Sequence, residues 1–527
     1  MKRTVLLLAV LANSLFLNAQ FVIDWQQCYG GYNSDKAFGI VEANDGFLVS
    51  GLCEFGYSGM IECGFGNGYY IQGGWLIKIN RNGDLKWSTC FDDKLWIDRN
   101  AIDGPIYLFG GRRHNPETGN ACIGLTRIDE DGNTIWNRYY DIPNRRYEEK
   151  PYGAIATDDD GILAWVNLYG VGVWLIKLDS LGNMEWDLII ETATYVAAYD
   201  LYQTRDEGYL VFTNSIAGST YGSVTPCHPA TNILDGMLVK VSKDGSIEWN
   251  KCYGGTGIER FYTGIETGDG YLVAGTSFTD DGDDHFDHDI WLLRLNYDGD
   301  TIWSRLYGGT GNEEPIRVFQ NDDGGFTVFA NSKSLDGDVQ SAAHWDFYGE
   351  KEKNNWWIFR TDDQGNLLWE RALGSRNGSR EELFDVVKHN DKEYTVAGYA
   401  PNFPENEWPY YHGDIDCTNS PLCGGPSEAV YWIVHIRDVF DYDAVEENMA
   451  EDLEWFEVFP IPAKDILTIK GGEDTFHYSM INAIGQEVIR GVAHNEQQIN
   501  ISGMNKGVYF IRLTDGIHTC VKKVVLE

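Results

Sequence analysis

Residues 78–87 read KINRNGDLKW, and the phrase returns as RIDEDGNTIW (127–136), KLDSLGNMEW (177–186), KVSKDGSIEW (240–249), RLNYDGDTIW (294–303) and RTDDQGNLLW (360–369). In every copy a basic residue stands five positions before a glycine and a tryptophan four after it. Apolar residues alternate on both sides of the glycine, which is the period of a strand. Glycine beside Asn or Asp supplies the φ > 0 positions of a tight hairpin. Each copy therefore predicts two antiparallel strands joined by a short turn, with the tryptophan on the second.

The flanks extend the unit. Beyond several of these tryptophans lies a YGG turn (29–31, 253–255, 307–309), followed four residues later by an acid, Asp35, Glu259 or Glu313. Then come a strand, a glycine turn and a second strand such as DGFLVSG (45–51), EGYLVF (207–212) or DGYLVAG (269–275). One unit thus holds four strands, and the marker tryptophans lie 49 to 66 residues apart. That is the signature of propeller blades. The outer-strand tryptophan occurs seven times, at 25, 87, 136, 186, 249, 303 and 369. The strand before it also occurs seven times, from WLIKI (75–79) to WIVHI (432–436), but the two series are offset by one. Trp25 has no preceding hairpin partner, and Trp432–Ile436 has no following Gly-x-x-x-Trp. The expectation is an all-β chain: a seven-bladed β-propeller over 20–440, closed by the N-terminal strand in the last blade.

Composition agrees. The chain has 527 residues, with 59 Gly, 18 Trp, 30 Tyr and 24 Phe. Asp and Glu number 80 against 41 Lys and Arg, a formal charge of −39. Phosphate neutralisation needs a basic surface, so no nucleic-acid partner is expected, and docking on anionic lipid is disfavoured. Met1–Gln20 has a basic start, an apolar run and Ala19 before a cleavage point, so residues 1–19 read as a secretory signal peptide. No later stretch is long and apolar enough for a membrane-spanning helix, so none is expected in the mature chain. Ten cysteines in an exported chain make disulfides plausible, and the absence of a CxxC spacing gives zinc or thiol redox chemistry little support.

In a four-stranded unit the short turns fall on one face and the long connections on the other. The insertions at about 52–73, 213–236, 276–289, 331–355 and 399–430 fall on the second face, where loops on a rigid scaffold carry function. Tyr69, Tyr70, Trp345, Tyr348, Trp408, Tyr410 and Tyr411 are the candidate ligand-binding residues, flat aromatics suited to a glycan or peptide; packing of the loops is the alternative. The stretch TDDGDDHFDHD (279–289) offers Asp280, Asp281, Asp283, Asp284, Asp287 and Asp289 as oxygen ligands for Ca²⁺, against a solvated acidic loop. No other cofactor is expected. His285 and His288 there read as exposed. Asp35, Glu259 and Glu313 recur with the period and so read as structural fasteners, not catalysts, as do Lys78, Arg127, Lys177, Lys240, Arg294 and Arg360, with His435 in the last copy. No catalytic residue is assigned: GxSxG, HExxH, a phosphate loop and a dinucleotide fingerprint are missing from any suitable context.

The period stops near residue 440. Residues 441–455 read as an acidic linker, and 456–527 alternate strands with glycine turns, as in a small Ig-like β-sandwich. Within this tail, FPIPAKDILTIK, NAIGQEVI, INISGMNKGVYFIRL and the ending KKVVLE resemble the C-terminal sorting domain of the type IX secretion system. Ile461 stands where that family usually carries Asn. The resemblance implies the type IX machinery as a partner, passage through the periplasm, and release or attachment at the outer cell surface. The repeat region likewise resembles propeller repeats of secreted Bacteroidetes proteins. The functional expectation is an exported propeller that binds a glycan, a peptide or a surface partner. The alternatives are a polysaccharide-acting enzyme with a carboxylate pair at the channel mouth, or a structural surface-layer component.

Overall fold

In a computed structural model the chain is described from residue 21 to 526, except 31–33, 55–71, 92–95, 99–103, 113–114, 144–149, 169, 192–196, 217–233, 256, 279–286, 340–353, 375–380, 403–426, 439–456, 460–462, 465, 483–486, 503, 505 and 515–518. The described residues form 33 strands and no helix. The chain divides into two compact units, Phe21–Arg437 and one that begins at Asp438.

Four strands at a time pair in chain order. The first sheet holds β2 (Lys36–Ala43), β3 (Gly46–Glu54), β4 (Gln72–Asn80) and β5 (Leu85–Phe91). The second holds β6 (Trp96–Asp98), β7 (Ile106–Arg112), β8 (Cys122–Ile128) and β9 (Thr134–Asp141). Next come β10 (Lys150–Ala156), β11 (Ile162–Leu168), β12 (Gly172–Leu178) and β13 (Met184–Glu191). The fourth sheet is β14 (Ala198–Gln203), β15 (Tyr209–Ile216), β16 (Leu234–Val241) and β17 (Ile247–Tyr253). The fifth is β18 (Glu259–Thr267), β19 (Gly270–Phe278), β20 (His288–Asn296) and β21 (Thr301–Tyr307), and the sixth β22 (Glu313–Gln320), β23 (Phe326–Ser332), β24 (Asn355–Thr361) and β25 (Leu367–Leu373). The seventh is different: β26 (Glu382–Asn390), β27 (Glu393–Asn402) and β28 (Ser427–Asp438) pair in order, and β1 (Phe21–Tyr29) is the outer strand beside β28. The first strands β2, β6, β10, β14, β18, β22 and β26 each contact the next, and β26 contacts β2. The fold is all-β and propeller-like.

Middle strands are buried on both faces, as the run Gly172–Leu178 shows along its whole length, and sheets faced on both sides need continuous apolar sequence. The hairpin before each marker tryptophan differs from the expected two-residue turn. Gly83, Gly132, Gly182, Gly245, Gly299 and Gly365 have φ between +76 and +82°, and their Asn or Asp neighbours do not. Each ladder slips by one residue at the turn, as between Lys177 and Leu178. This is a type I turn closed by a glycine bulge. The Asn or Asp side chains instead fix the loop from inside: Asp179 accepts hydrogen bonds from the Leu181 and Asn183 amides at 2.9 and 2.8 Å, and Asp129 and Asp362 repeat the arrangement.

The glycine has a second reason to be glycine. A Cβ on Gly245 meets the Trp186 ring of the preceding sheet at 2.7 Å, and one on Gly132 meets Trp87 at 2.7 Å. Gly365 and Trp303 repeat this at 3.0 Å, and Gly83 and Trp25 at 2.8 Å. The indoles of Trp136, Trp186 and Trp303 also donate hydrogen bonds to the Ser180, Lys243 and Asp363 carbonyls of that next turn, at 3.0, 2.9 and 3.0 Å. Four residues further on, the Tyr140, Tyr253 and Tyr307 hydroxyls donate to the Gly182, Gly299 and Gly365 carbonyls at 2.6, 2.7 and 2.5 Å, and Tyr29 does the same to Gly83. Trp25 and Tyr29 on β1 therefore bind the seventh sheet to the first with the contacts that join consecutive sheets.

The repeated basic residues are buried fasteners. Lys177, 3% exposed, bridges Asp159 at 2.7 Å and Glu185 at 2.9 Å, and Lys240 and Arg294 reach Asp206 and Asp269 in the corresponding turns. Arg360 pairs with Asp323 at 2.7 Å, and His435 stands 3.1 Å from Glu393 while stacking on Trp25. Cys28, Cys90 and Cys252 are disulfide-bonded, and Cys53 and Cys122 are buried thiols.

The C-terminal unit has β29 (Glu457–Phe459), β30 (Ile466–Asn482), β31 (Glu487–Asn500), β32 (Gly507–Thr514) and β33 (Thr519–Leu526), joined as one five-stranded sheet. The long β30–β31 hairpin breaks register between Lys470 and Thr475. Its two halves share one core of Leu467, Ile469, Met480, Ile499, Ile511 and Val524.

Substituting Gly245→Ala is expected to cost roughly 2 kcal/mol or more, from a left-handed backbone and displacement of Trp186. Gly119→Ala is the control, with φ +71° but nothing within 4 Å, so it should cost only about 1 kcal/mol. Urea unfolding of the two variants measures the difference, and equal costs would refute the tryptophan contact.

Candidate functional site: the central cavity

A cavity of about 1070 Å³ runs between the seven first strands and is bordered by residues from each of them. Its lining depends on an irregularity that recurs in those strands. The ladders skip Phe38 in β2, Tyr199 in β14, Tyr262 in β18, Ile316 in β22 and Phe384 in β26. In a regular strand neighbouring side chains point to opposite faces. A bulge breaks that rule and re-aims a side chain, and the skipped residues Tyr199, Tyr262, Ile316 and Phe384 border the cavity beside Asp200, Thr263, Arg317 and Asp385.

The aromatics form a girdle. Phe38 stacks on Trp96 with centroids 5.2 Å apart and meets Phe384 edge-on at 5.1 Å, while Tyr199 and Tyr262 lie 4.8 Å apart. Offset and edge-on pairs of this kind are the favourable geometries.

Next to the girdle lies a polar waist. Arg317 donates from Nε to Asp385 Oδ1 at 2.9 Å and from Nη1 to Asp200 Oδ2 at 3.2 Å, so one guanidinium ties the fourth, sixth and seventh sheets. Asp200 also accepts from the Thr263 hydroxyl at 2.8 Å, and Asp385 from the Ile40 amide at 3.0 Å. The Arg317 side chain is 37% exposed. It lies among the first strands, so the water it sees is that of the cavity. Desolvation disfavours its charge, but Asp385 and Asp200 outweigh that and hold its pKa above the ordinary value. Burial pushes the Asp200 carboxyl up against the opposing pull of Arg317 and Thr263. Burial, then the charge of Glu382, also raises Glu314 at the cavity wall.

The recurring acids lie outside this cavity and hold turns. Glu259 and Glu313 each accept the Gly255 or Gly309 amide at 3.2 Å, and their second oxygens accept Ser277 at 3.2 Å and Ser332 at 2.7 Å. Asp235 and Asp289 stand beside them, so that a Cβ on Gly254 or Gly308 meets both carboxylates of a pair within 2.6 Å. Burial first, with Asp289 adding to it, pushes Glu313 up to about 7.

Of the loop residues singled out from sequence, Tyr69, Tyr70, Trp345, Tyr348, Trp408, Tyr410, Tyr411, Asp280, Asp281, Asp283 and Asp284 lie outside the described residues. Asp287 and Asp289 are described, and among the described residues no group of three His, Cys, Asp or Glu side chains is placed to hold a metal. His285 is likewise outside. His288 is not exposed: it is half-buried, and burial with Arg260 and Lys333 nearby pushes it down to about 4. Sequence reasoning missed the girdle. A signal existed, because Phe38, Tyr262 and Phe384 each stand three residues after an acid at or just before the start of a first strand, Asp35, Glu259 and Glu381.

The tail is decided by its match, over residues 457–527, to the model of the secretion system C-terminal sorting domain. Residues 457–527 are a type IX secretion C-terminal sorting domain. This domain engages the type IX machinery and marks the chain for export, to the outer surface or beyond it. Among the described residues no helix is long and apolar enough to cross a membrane. No curated protein matches the chain. Several solved structures are distantly similar to the chain. A protein of unknown function from Bacteroides caccae is 14% identical, with 61% of this chain and 93% of that one covered and a TM-score of 0.33. YCF48 bound to D1 peptide is 8% identical, with 81% and 99% covered and a TM-score of 0.39. Sqt1 from Chaetomium thermophilum is 12% identical, with 70% and 96% covered and a TM-score of 0.36. Likenesses this distant say nothing of function.

Glu313 gives a pH prediction. Its folded pKa of about 7 lies above the ordinary 4.5, so the folded state holds its proton longer than the unfolded one. Its favourable contribution is complete below about pH 4.5 and is lost as pH rises to about 7, on the order of 3 kcal/mol in all. Glu313→Gln should flatten the decline of unfolding free energy between those pH values in denaturant titrations. An unchanged slope would contradict the assignment.

Proposed function

We propose that the chain is a secreted or surface-displayed binding protein: a seven-bladed propeller, closed by its N-terminal strand, that takes its partner at the central cavity. An N-terminal signal peptide begins the export route, and the sorting domain, its two halves folded as a small Ig-like sandwich, completes it. The observation that carries the reading is the cavity itself. A girdle of half-buried aromatics lies beside a fixed guanidinium in a space of about 1070 Å³, at the upper end of the roughly 300–1,000 Å³ of small-ligand clefts.

An enzymatic reading has weaker support. A carboxylate pair for glycoside hydrolysis divides its labour between an acid and a base or nucleophile. Asp200 and Asp385 are both engaged by the same guanidinium.

The folded full chain, applied to glycan and peptide arrays, should bind members of one array. Absence of binding on both, with the circular dichroism of a folded β protein, would overturn the reading.

A further inference from the structure

The charges around the cavity narrow the ligand class, provided that the cavity is the binding site proposed above. Six acidic side chains and two basic ones, Arg317 and Lys388, border it. An anion is therefore opposed by the wall as a whole. A cation is opposed at the waist by Arg317. Three of the six carboxylates are hydrogen-bonded within the wall: Asp385 holds Arg317 and the Ile40 and Val386 amides, Asp200 holds Arg317, Thr263 and the Leu201 amide, and Asp98 accepts the Ala156 amide at 2.8 Å. Charge thus disfavours an anion throughout, and a cation only beside the guanidinium.

What the waist offers is donors. A guanidinium carries five N–H groups in a rigid fork. The contacts to Asp385 and Asp200 use Nε and Nη1, and Nη2 has no protein partner among the described residues. An N–H left over at the cavity wall suits a hydroxyl or ether oxygen. Beside it lie the rings of the girdle, whose faces carry the negative side of the aromatic quadrupole; Trp96 itself stacks on both Phe38 and Phe109, with centroids at 5.2 and 5.6 Å. The C–H face of a pyranose carries the opposite sign.

We propose that the central cavity binds a neutral oligosaccharide, stacked on the girdle of Phe38, Trp96, Tyr199, Tyr262 and Phe384 and hydrogen-bonded at the waist by Arg317. The aromatics fall in two clusters, Phe38–Trp96–Phe384 and Tyr199–Tyr262, and a cavity of about 1070 Å³ has room for more than one sugar ring, so the girdle suits a chain and not a single ring. Arg317 is set in place by its two aspartates before the ligand arrives, which limits the ordering cost of binding.

Calorimetry of the full chain with maltotetraose, cellotetraose, xylotetraose and mannotetraose tests this, with tetragalacturonate and the glucosamine tetramer as charged controls. At least one neutral tetrasaccharide should bind, at least tenfold more tightly than either control. Trp96→Ala and Arg317→Lys should each weaken it tenfold or more; Arg317→Lys keeps a positive charge between the aspartates, so the waist stays neutralised. If either variant fails to fold, Tyr199→Ala replaces it as a probe of the girdle. Three results overturn the inference: tighter binding of a charged control, neutral binding that the folded variants leave unchanged, or no neutral tetrasaccharide bound. If peptides alone bind the array, this inference fails and the binding-protein reading stands. If nothing binds either array, both fail.

Discussion

An indole lying on the positive-φ glycine of the next sheet's turn is the contact on which the large unit depends. The middle strands are apolar on both faces, as Gly172–Leu178 is, so each sheet needs a neighbour held in place to cover each face. Trp87, Trp136, Trp186 and Trp303 do this by covering the turn glycine of the following sheet, and the tyrosines four residues later hydrogen-bond the same turns where they are present. The glycine answers to two demands at once, a left-handed backbone and room for a ring. Trp25 and Gly83 repeat the contact between the seventh sheet and the first, and β1 adds the Arg437–Asp24 ion pair at 2.8 Å.

A cavity follows from that arrangement. Once the first strands are held side by side by contacts at the perimeter, the space between them is set by the number of sheets and not by side-chain collapse. The bulges then decide what faces it. In β22 the skipped residue is Ile316, directly before the Arg317 that carries the waist.

The repeat phrase made much of the strand pattern legible, because the positions of Lys177, Gly182 and Trp186 are each tied to one backbone event: a buried lysine across a hairpin turn, a positive φ, an inter-sheet contact. The fastener role of Glu259 and Glu313 was legible for the same reason, since a turn that recurs needs the same acceptor each time. The turn type was not, because Asn and Asp beside glycine suit both a two-residue hairpin and a type I turn with a glycine bulge, and only φ separates them. His288 was misread because its loop is polar in sequence while the ring folds beside Phe278. The waist was invisible for a deeper reason. Arg317 and Asp200 are 117 residues apart, and nothing local in either strand says that a cross-lumen partner exists.

Hydrogen–deuterium exchange of β1 tests the central claim most directly. If Phe21–Tyr29 is the outer strand of the seventh sheet, the amides of its hydrogen-bonded positions should exchange as slowly as those of β27 and β28, through opening of the whole ring. Exchange of β1 within seconds, with β27 and β28 still protected, would contradict the closure and with it the bounded cavity.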